Sequence, residues 1–264
     1  MNAYCQMLQM RPEDTDTHFY LGVAYGELGP VDEEISEYKK AIEIAPDDFY
    51  ALTNLGVAYS QSGRSESAIE AWKRAIKCDP SSKEVWGSLS LEYERLERWQ
   101  DALDACLEIE RILPNDPIAQ ANVATFLNRL GRFDEALEKA RRAIHSDPNY
   151  PDVHLHAGFA LQELGDNQSA IDEYQKVLEL KPGHLIALAN LADAYLELGR
   201  NDEAIALLKR ATELHPDSPQ GHDCLGTAYF KTGDRAGATE ELGITLRLDP
   251  KFQGELRKLL DPGA

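Results

Sequence analysis

The sequence predicts an all-α solenoid of stacked helix–turn–helix units, and three observations carry that prediction. Prolines stand at 12, 46, 80, 114, 148, 182, 216 and 250, an unbroken interval of 34 residues. The residues ahead of them are alike, as in AIEIAP, AIKCDP, AIHSDP and TLRLDP. Between the prolines, apolar and small residues recur at three- and four-residue steps, the pattern of amphipathic helices. A period of this size marks a solenoid rather than one compact core.

Counting the third residue after each proline as position 1 divides the chain in order. Residues 1–14 form a partial repeat with only its second helix, carrying Tyr4 at position 24 and Pro12 at position 32. Seven full repeats follow, at 15–48, 49–82, 83–116, 117–150, 151–184, 185–218 and 219–252. In each, the first helix is marked by an apolar residue at position 7, such as Leu21, Leu55 or Leu191. A small residue comes next, as in Gly22, Gly56, Ser90, Ala124 and Gly158, and position 11 is tyrosine or leucine. A break near position 15, usually at a glycine such as Gly63, Gly131 or Gly199, suits a tight turn between helices. The second helix carries alanine at position 20 in six of seven repeats. It ends at the proline, which lacks an N–H and clashes with the preceding turn. The small residues let the two helices approach, and larger side chains such as Leu55, Tyr59 and Trp72 fill the seam. Residues 253–264 close the chain as a capping helix, with Leu256, Leu259 and Leu260 on one face. Glu34 breaks the alanine series at position 20, so its carboxylate is expected to reach solvent or a partner.

The small residues at positions 8 and 20, the aromatic at 11 and the proline at 32 together resemble the tetratricopeptide repeat, over essentially the whole chain. The resemblance implies a right-handed superhelix of close to one turn, in which the first helices line a concave groove. It also implies a non-catalytic scaffold for protein–protein interaction, binding a peptide or partner protein in that groove.

Helix geometry places positions 2, 5, 6, 9, 12 and 13 on the face opposite the small residue at position 8. Position 6 reads Tyr20, Asn54, Ser88, Asn122, His156, Asn190 and Cys224, so asparagine returns every 68 residues. In some family members, including the repeat regions of O-linked N-acetylglucosamine transferases, an asparagine ladder at this position grips the backbone of an extended peptide. An amide suits that task because it both donates and accepts. Solvated polar residues on a wet helix face are the alternative. Tyr50, Ile118 and Ile186 share position 2 of the asparagine-bearing repeats, while position 9 adds Val57, Leu91 and Phe159. Apolar residues on that face point to a binding surface. They could equally fill the inner curve as core. The family members that clamp a chaperone's terminal carboxylate use Lys and Arg in this groove. No Lys or Arg occurs here at positions 2, 5, 6 or 9, which argues against that class.

Composition and motifs exclude other classes. A net charge of −19 repels nucleic acid and anionic membranes. No apolar run is long enough to span a bilayer, and no signal segment or apolar leader precedes Cys5, so the expected location is the cytoplasm. Cys5, Cys78, Cys106 and Cys224 form no CxxC pair and read as reduced thiols. There is no GxxxxGK[ST], GxSxG or HExxH motif, and the seven histidines read as structural. Neither an enzyme, a metal nor a cofactor is expected. Acidity is heaviest in 15–48, where nine acids face two lysines, so a partner with a basic segment would be steered there. Two further readings stand beside the scaffold. One is a self-assembling structural protein that docks its N-terminal half-repeat, with Tyr4 and Met7, on another copy. The other is the regulatory repeat module of a larger enzyme.

Overall fold

The computed structural model describes residue 4, residues 6–7 and residues 10–260. Cys5 and residues 261–264 of the expected capping helix lie outside the described residues. Residues 4, 6, 7 and 10 are helical. The chain divides into two compact units, residues 1–114 and 115–264.

The first unit contains α1 (Thr15–Leu28), α2 (Val31–Ile44), α3 (Phe49–Gln61), α4 (Ser65–Cys78), α5 (Lys83–Arg95) and α6 (Trp99–Ile112). The second contains α7 (Pro117–Arg129), α8 (Phe133–Ser146), α9 (Pro151–Glu163), α10 (Asn167–Leu180), α11 (Leu185–Glu197), α12 (Asn201–Leu214), α13 (Pro219–Lys231), α14 (Arg235–Leu248) and the short α15 (Glu255–Leu260). The described residues contain no strand. Within each unit, odd-numbered helices pack antiparallel on the even-numbered helix that follows and on the one before. In the second unit α7, α9, α11 and α13 also touch in series, so their outward faces form a continuous wall.

Local chemistry sets each boundary. Side chains of Asp14, Asp48, Ser82, Asp116 and Ser218 accept backbone N–H groups in the first turn of α1, α3, α5, α7 and α13. Pro117, Pro151 and Pro219 sit where a missing N–H costs nothing. Even-numbered helices stop two residues before the periodic proline, which pushes its predecessor out of the helical region. In the turns, glycine takes positive φ at 29, 63, 131, 165, 199 and 233. The next residue donates its N–H back to the tyrosine or leucine of the helix, as Arg64 does to Tyr59 at 2.8 Å and Arg200 to Tyr195 at 2.8 Å. Pro30 has no N–H to give. There α1 runs one residue further, and Gly29 itself donates to Tyr25 at 2.9 Å.

Glu97 occupies the same turn position and, among the described residues, is the non-glycine residue with positive φ, at 55°. A Cβ in the left-handed region costs about 1–2 kcal/mol, part of which glycine would return as unfolded-state entropy. Glu97→Gly is therefore expected to stabilise the chain by about 1 kcal/mol. A urea titration with an unchanged or lower midpoint would show that the turn carries no such strain.

Glycine at position 8 has a second purpose, which is to receive the aromatic at position 24. A Cβ on Gly22, Gly56 or Gly158 would lie 2.7 Å from Tyr38, 2.3 Å from Trp72 or 2.6 Å from Tyr174. Where the second residue shrinks, the first grows: Ser90 contacts Cys106 at 3.1 Å, and Ala192 stands opposite Leu208 in the repeat register.

The histidines at position 4 are structural. His154 Nδ1 lies 2.7 Å from Glu173 and its Nε2 lies 2.8 Å from the Pro148 carbonyl, so the ring bridges one repeat to the end of the previous one. His18 makes the same pair of contacts with Glu37 and Pro12, and His222 with Glu241 and Pro216. Both partners of His154 can only accept, so both ring nitrogens must donate. The hydrogen bond to Glu173 holds the His154 pKa above its ordinary value, against the opposing effect of burial. A raised folded-state pKa adds stability that is complete below about 6.5 and is lost as pH rises through the higher folded value. His154→Gln should therefore cost about 1 kcal/mol at pH 6 and clearly less at pH 9. Denaturant melts at the two pH values giving equal costs would exclude the charged bridge.

Glu34 finds no hydrogen-bond partner and keeps only a little solvent contact: it is 8% exposed, and its carboxylate occupies the space left by Gly26, where a Cβ would come within 2.8 Å of Oε1. Burial raises its pKa. An unpaired, partly desolvated carboxylate is costly, so Glu34→Ala should stabilise the chain by about 1 kcal/mol at pH 7. The gain should shrink as acid protonates Glu34. Destabilisation in a thermal melt at pH 7 would show that packing around the side chain outweighs its charge.

Candidate functional site

In the first unit, Tyr20, Tyr50, Val57 and Leu91 are all exposed, Tyr50 most of all at 70%. They are surface residues of α1, α3 and α5, not core. Tyr20 is partly engaged: its ring stacks on Tyr4 with centroids 6.2 Å apart. Asn54 is half-buried, and its amide donates to the Tyr38 hydroxyl at 3.4 Å. That phenol is pushed up to about 12 by burial and the nearby Glu34 charge, while the Asn54 bond pulls it down.

In the second unit, Ile118, Phe159 and Ile186 are exposed, at 52%, 36% and 46%. Phe159, Ile186 and Asn190 come together in one cleft of ≈ 430 Å³, with Leu155, Asn128 and His156. Ile118 and Asn122 share the outer surface of α7 but do not line this cleft; Asn122 is exposed. The cleft has an apolar floor and a few fixed polar groups, the composition of a recognition site. His156 is held down at about 4 by burial, so it is neutral near pH 7. Thr125 Oγ1 donates to the Ala121 carbonyl at 3.0 Å and accepts from His156 Nε2 at 2.9 Å, which fixes the tautomer.

Asn128 stands out at the cleft wall. It is 8% exposed and donates through Nδ2 to the His156 carbonyl at 3.1 Å, while its Oδ1 is buried with no hydrogen-bond partner. An orphaned buried acceptor is costly unless something supplies a donor. At the other end Asn190 stands near the Tyr174 phenol and pulls against the upward push that burial gives its pKa; the phenol O–H donates to Gln162 at 2.9 Å. Gln162 donates in turn to Asp193 at 3.2 Å, and Lys231 reaches the same carboxylate at 3.3 Å. Buried polar chains of this kind hold their members in one geometry.

Two of these partners were readable in the sequence. Asn54 and Asn190 each follow a tyrosine sixteen residues earlier, Tyr38 and Tyr174, whereas Asn122 follows Cys106. The asparagine series therefore has two kinds of member: two that stand beside a tyrosine and one that does not. Asn128 gave no signal, since its burial depends on the neighbouring helix. Among the described residues Cys78, Cys106 and Cys224 are free thiols, no group of three metal-binding side chains converges, and no helix is long and apolar enough to cross a membrane.

No curated protein matches the chain by sequence. Solved structures do match its fold. A tetratricopeptide repeat protein from Parabacteroides merdae aligns with a TM-score of 0.75 and 14% identity, over 94% of this chain and 97% of that one. PilW, a type IV pilus biogenesis factor, aligns with a TM-score of 0.67 and 20% identity, over 80% and 98%. YrrB, a TPR protein with an unusual peptide-binding site, aligns with a TM-score of 0.62 and 20% identity, over 70% and 96%. Four family models described as tetratricopeptide repeat match residues 16–48, 37–70, 114–151 and 161–226, together more than half of the chain. The chain belongs to the tetratricopeptide repeat family.

Proposed function

We propose that the chain is a non-catalytic interaction scaffold that holds an extended peptide segment of a partner protein against its odd-numbered helices. The division into seven repeats at 15–48 through 219–252 is part of that reading. The observation that carries it is the second-unit cleft, where exposed Phe159 and Ile186 flank the fixed amides of Asn128 and Asn190. Apolar side chains left on the surface beside an unpaired buried acceptor suit an occupant offering both apolar side chains and backbone N–H groups. YrrB, with its peptide-binding site, supports the reading by analogy of fold.

The test is capture of partners from a lysate by the full chain, repeated with Ile186→Asp. Ile186 is half exposed, so the variant should fold. Bands that mass spectrometry identifies with the parent and not with the variant support the cleft. Identical capture would place binding elsewhere.

A further inference from the structure

Beyond the apolar cleft, the wall of the second unit continues into a smaller cavity of ≈ 180 Å³, and Asn190 lines both. Its lining includes Asp193 on α11, Asp223, Cys224 and Thr227 on α13, and Glu255 at the start of α15. The volume falls below the roughly 300–1,000 Å³ of small-molecule sites and suits a single side chain. Three carboxylates line it; Lys231 pairs with one of them, Asp193, and Lys258 acts on Asp223.

Two of the three carboxylates are partly engaged. Asp223 accepts the backbone N–H groups of Glu255 and Leu256 at 3.1 and 3.3 Å, fixing α15 in place. Asp193 holds Gln162 and Lys231. Glu255 is exposed. Their joint field registers on Cys224, whose thiol is pushed up to about 12 by burial and then by Asp223, Asp193 and Glu255, with Lys231 opposing.

A second observation is independent of charge. Thr227 is 7% exposed, lines the cavity, and its Oγ1 is buried without a hydrogen-bond partner. Most helical threonines satisfy their hydroxyl on a carbonyl one turn back, as Thr125 does on Ala121. The Thr227 hydroxyl is left for something that enters the cavity.

We propose that this cavity takes the cationic head of a Lys or Arg side chain belonging to the same extended peptide whose apolar side chain fills the Leu155–Phe159–Ile186 cleft. The inference rests on the peptide-binding reading above and adds the partner's chemistry: an apolar residue and a basic residue a short extended stretch apart, with Asn190 on the backbone between them. The head would find Thr227 Oγ1 and the Asp193 and Glu255 carboxylates, and charge-assisted bonds of this kind are the stronger ones. The basic partner residue is thus read in repeats six and seven, whereas the acidic composition of 15–48 pointed to the other end of the chain.

The probe is an array of capped heptapeptides on a Gly-Ser background, with Leu fixed at the centre and Lys, Arg, Ala or Glu placed in turn at each other position. The full chain is applied and the strongest peptides are followed by fluorescence anisotropy. Peptides pairing Leu with Lys or Arg should bind about tenfold or more tightly than their Ala counterparts, and Glu counterparts should be weakest. Glu255→Gln should weaken that preference while leaving Leu-only affinity unchanged; adding Asp193→Asn should remove it, and Thr227→Val should reduce it. Equal binding of Lys and Ala peptides, or a preference surviving the double variant, overturns the basic pocket and leaves the cleft standing. If no peptide binds, or Leu-dependent binding survives Ile186→Asp, the cleft reading fails and takes the pocket with it.

Discussion

Gly56→Ala is expected to destabilise the chain by about 2–3 kcal/mol, and Trp72→Leu in the same molecule is expected to abolish that effect. On an exposed helix the first change would stabilise, since alanine is favoured over glycine by about 1 kcal/mol. Here the added Cβ would sit 2.3 Å from Trp72 Nε1 and 2.6 Å from two ring carbons. The indole cannot swing away cheaply, because it is 3% exposed and donates to the Thr53 carbonyl at 3.2 Å. Overpacking of this kind costs about 1–3 kcal/mol, and a contact this short belongs at the upper end.

Trp72→Leu alone should also cost about 2–3 kcal/mol, by leaving space over Gly56. Alanine at 56 would occupy part of that space, recreating the pairing of Ala192 with Leu208 four repeats further along the chain. The double variant should therefore be no less stable than Trp72→Leu alone. The coupling energy from urea titrations of the four proteins should match the Gly56→Ala penalty with opposite sign. Additive penalties would mean that the two positions do not share one space. Because repeat arrays melt with limited cooperativity, the transition should be followed by both tryptophan fluorescence and circular dichroism.

That pairing shows which parts of the molecule were legible beforehand. Features that recur singly were plain: the prolines, the small residues at position 8, and the alanines at position 20 interrupted at Glu34. Features that recur as pairs were present but needed two columns read together. Histidine occurs at position 4 only where glutamate stands nineteen residues later, in His18 with Glu37, His154 with Glu173 and His222 with Glu241. The structure joins each of these pairs. Tyr38 with Asn54 and Tyr174 with Asn190 follow the same logic.

Other features had no sequence signal because they depend on what neighbouring elements leave unfilled. The buried oxygens of Asn128 and Thr227 have no hydrogen-bond partner, and nothing in their repeat positions marks them. Asp223 owes its burial to α15, whose Leu256 is fully buried and lies where a Cβ on Gly226 would meet it at 2.2 Å. A residue's position in the repeat says which way it points. Whether its polar atoms find partners is decided by a helix one repeat away.

The asparagine series gives the second large expected effect, on binding. Replacing Asn54, Asn122 and Asn190 together by alanine should weaken partner binding by about one to three orders of magnitude. Each lost bond to a desolvated backbone group is worth about 0.5–1.5 kcal/mol, and about 1.4 kcal/mol is one decade. The fold should persist, without a uniform gain in stability. Alanine's better helix propensity is offset at Asn54 by the lost bond to Tyr38 and at Asn190 by the lost contact with the Tyr174 phenol. Asn122→Ala loses no such contact and should be neutral to slightly stabilising. Single variants divide the effect: Asn190→Ala should weaken binding most, because Asn190 lines both the apolar cleft and the acidic cavity. Asn54→Ala reports whether the first unit takes part at all. Isothermal titration with a captured partner measures these affinities, and melts of the same samples measure stability. A triple variant that binds as the parent does would leave the amides no part in recognition, which would fall to Phe159, Ile186 and Asn128.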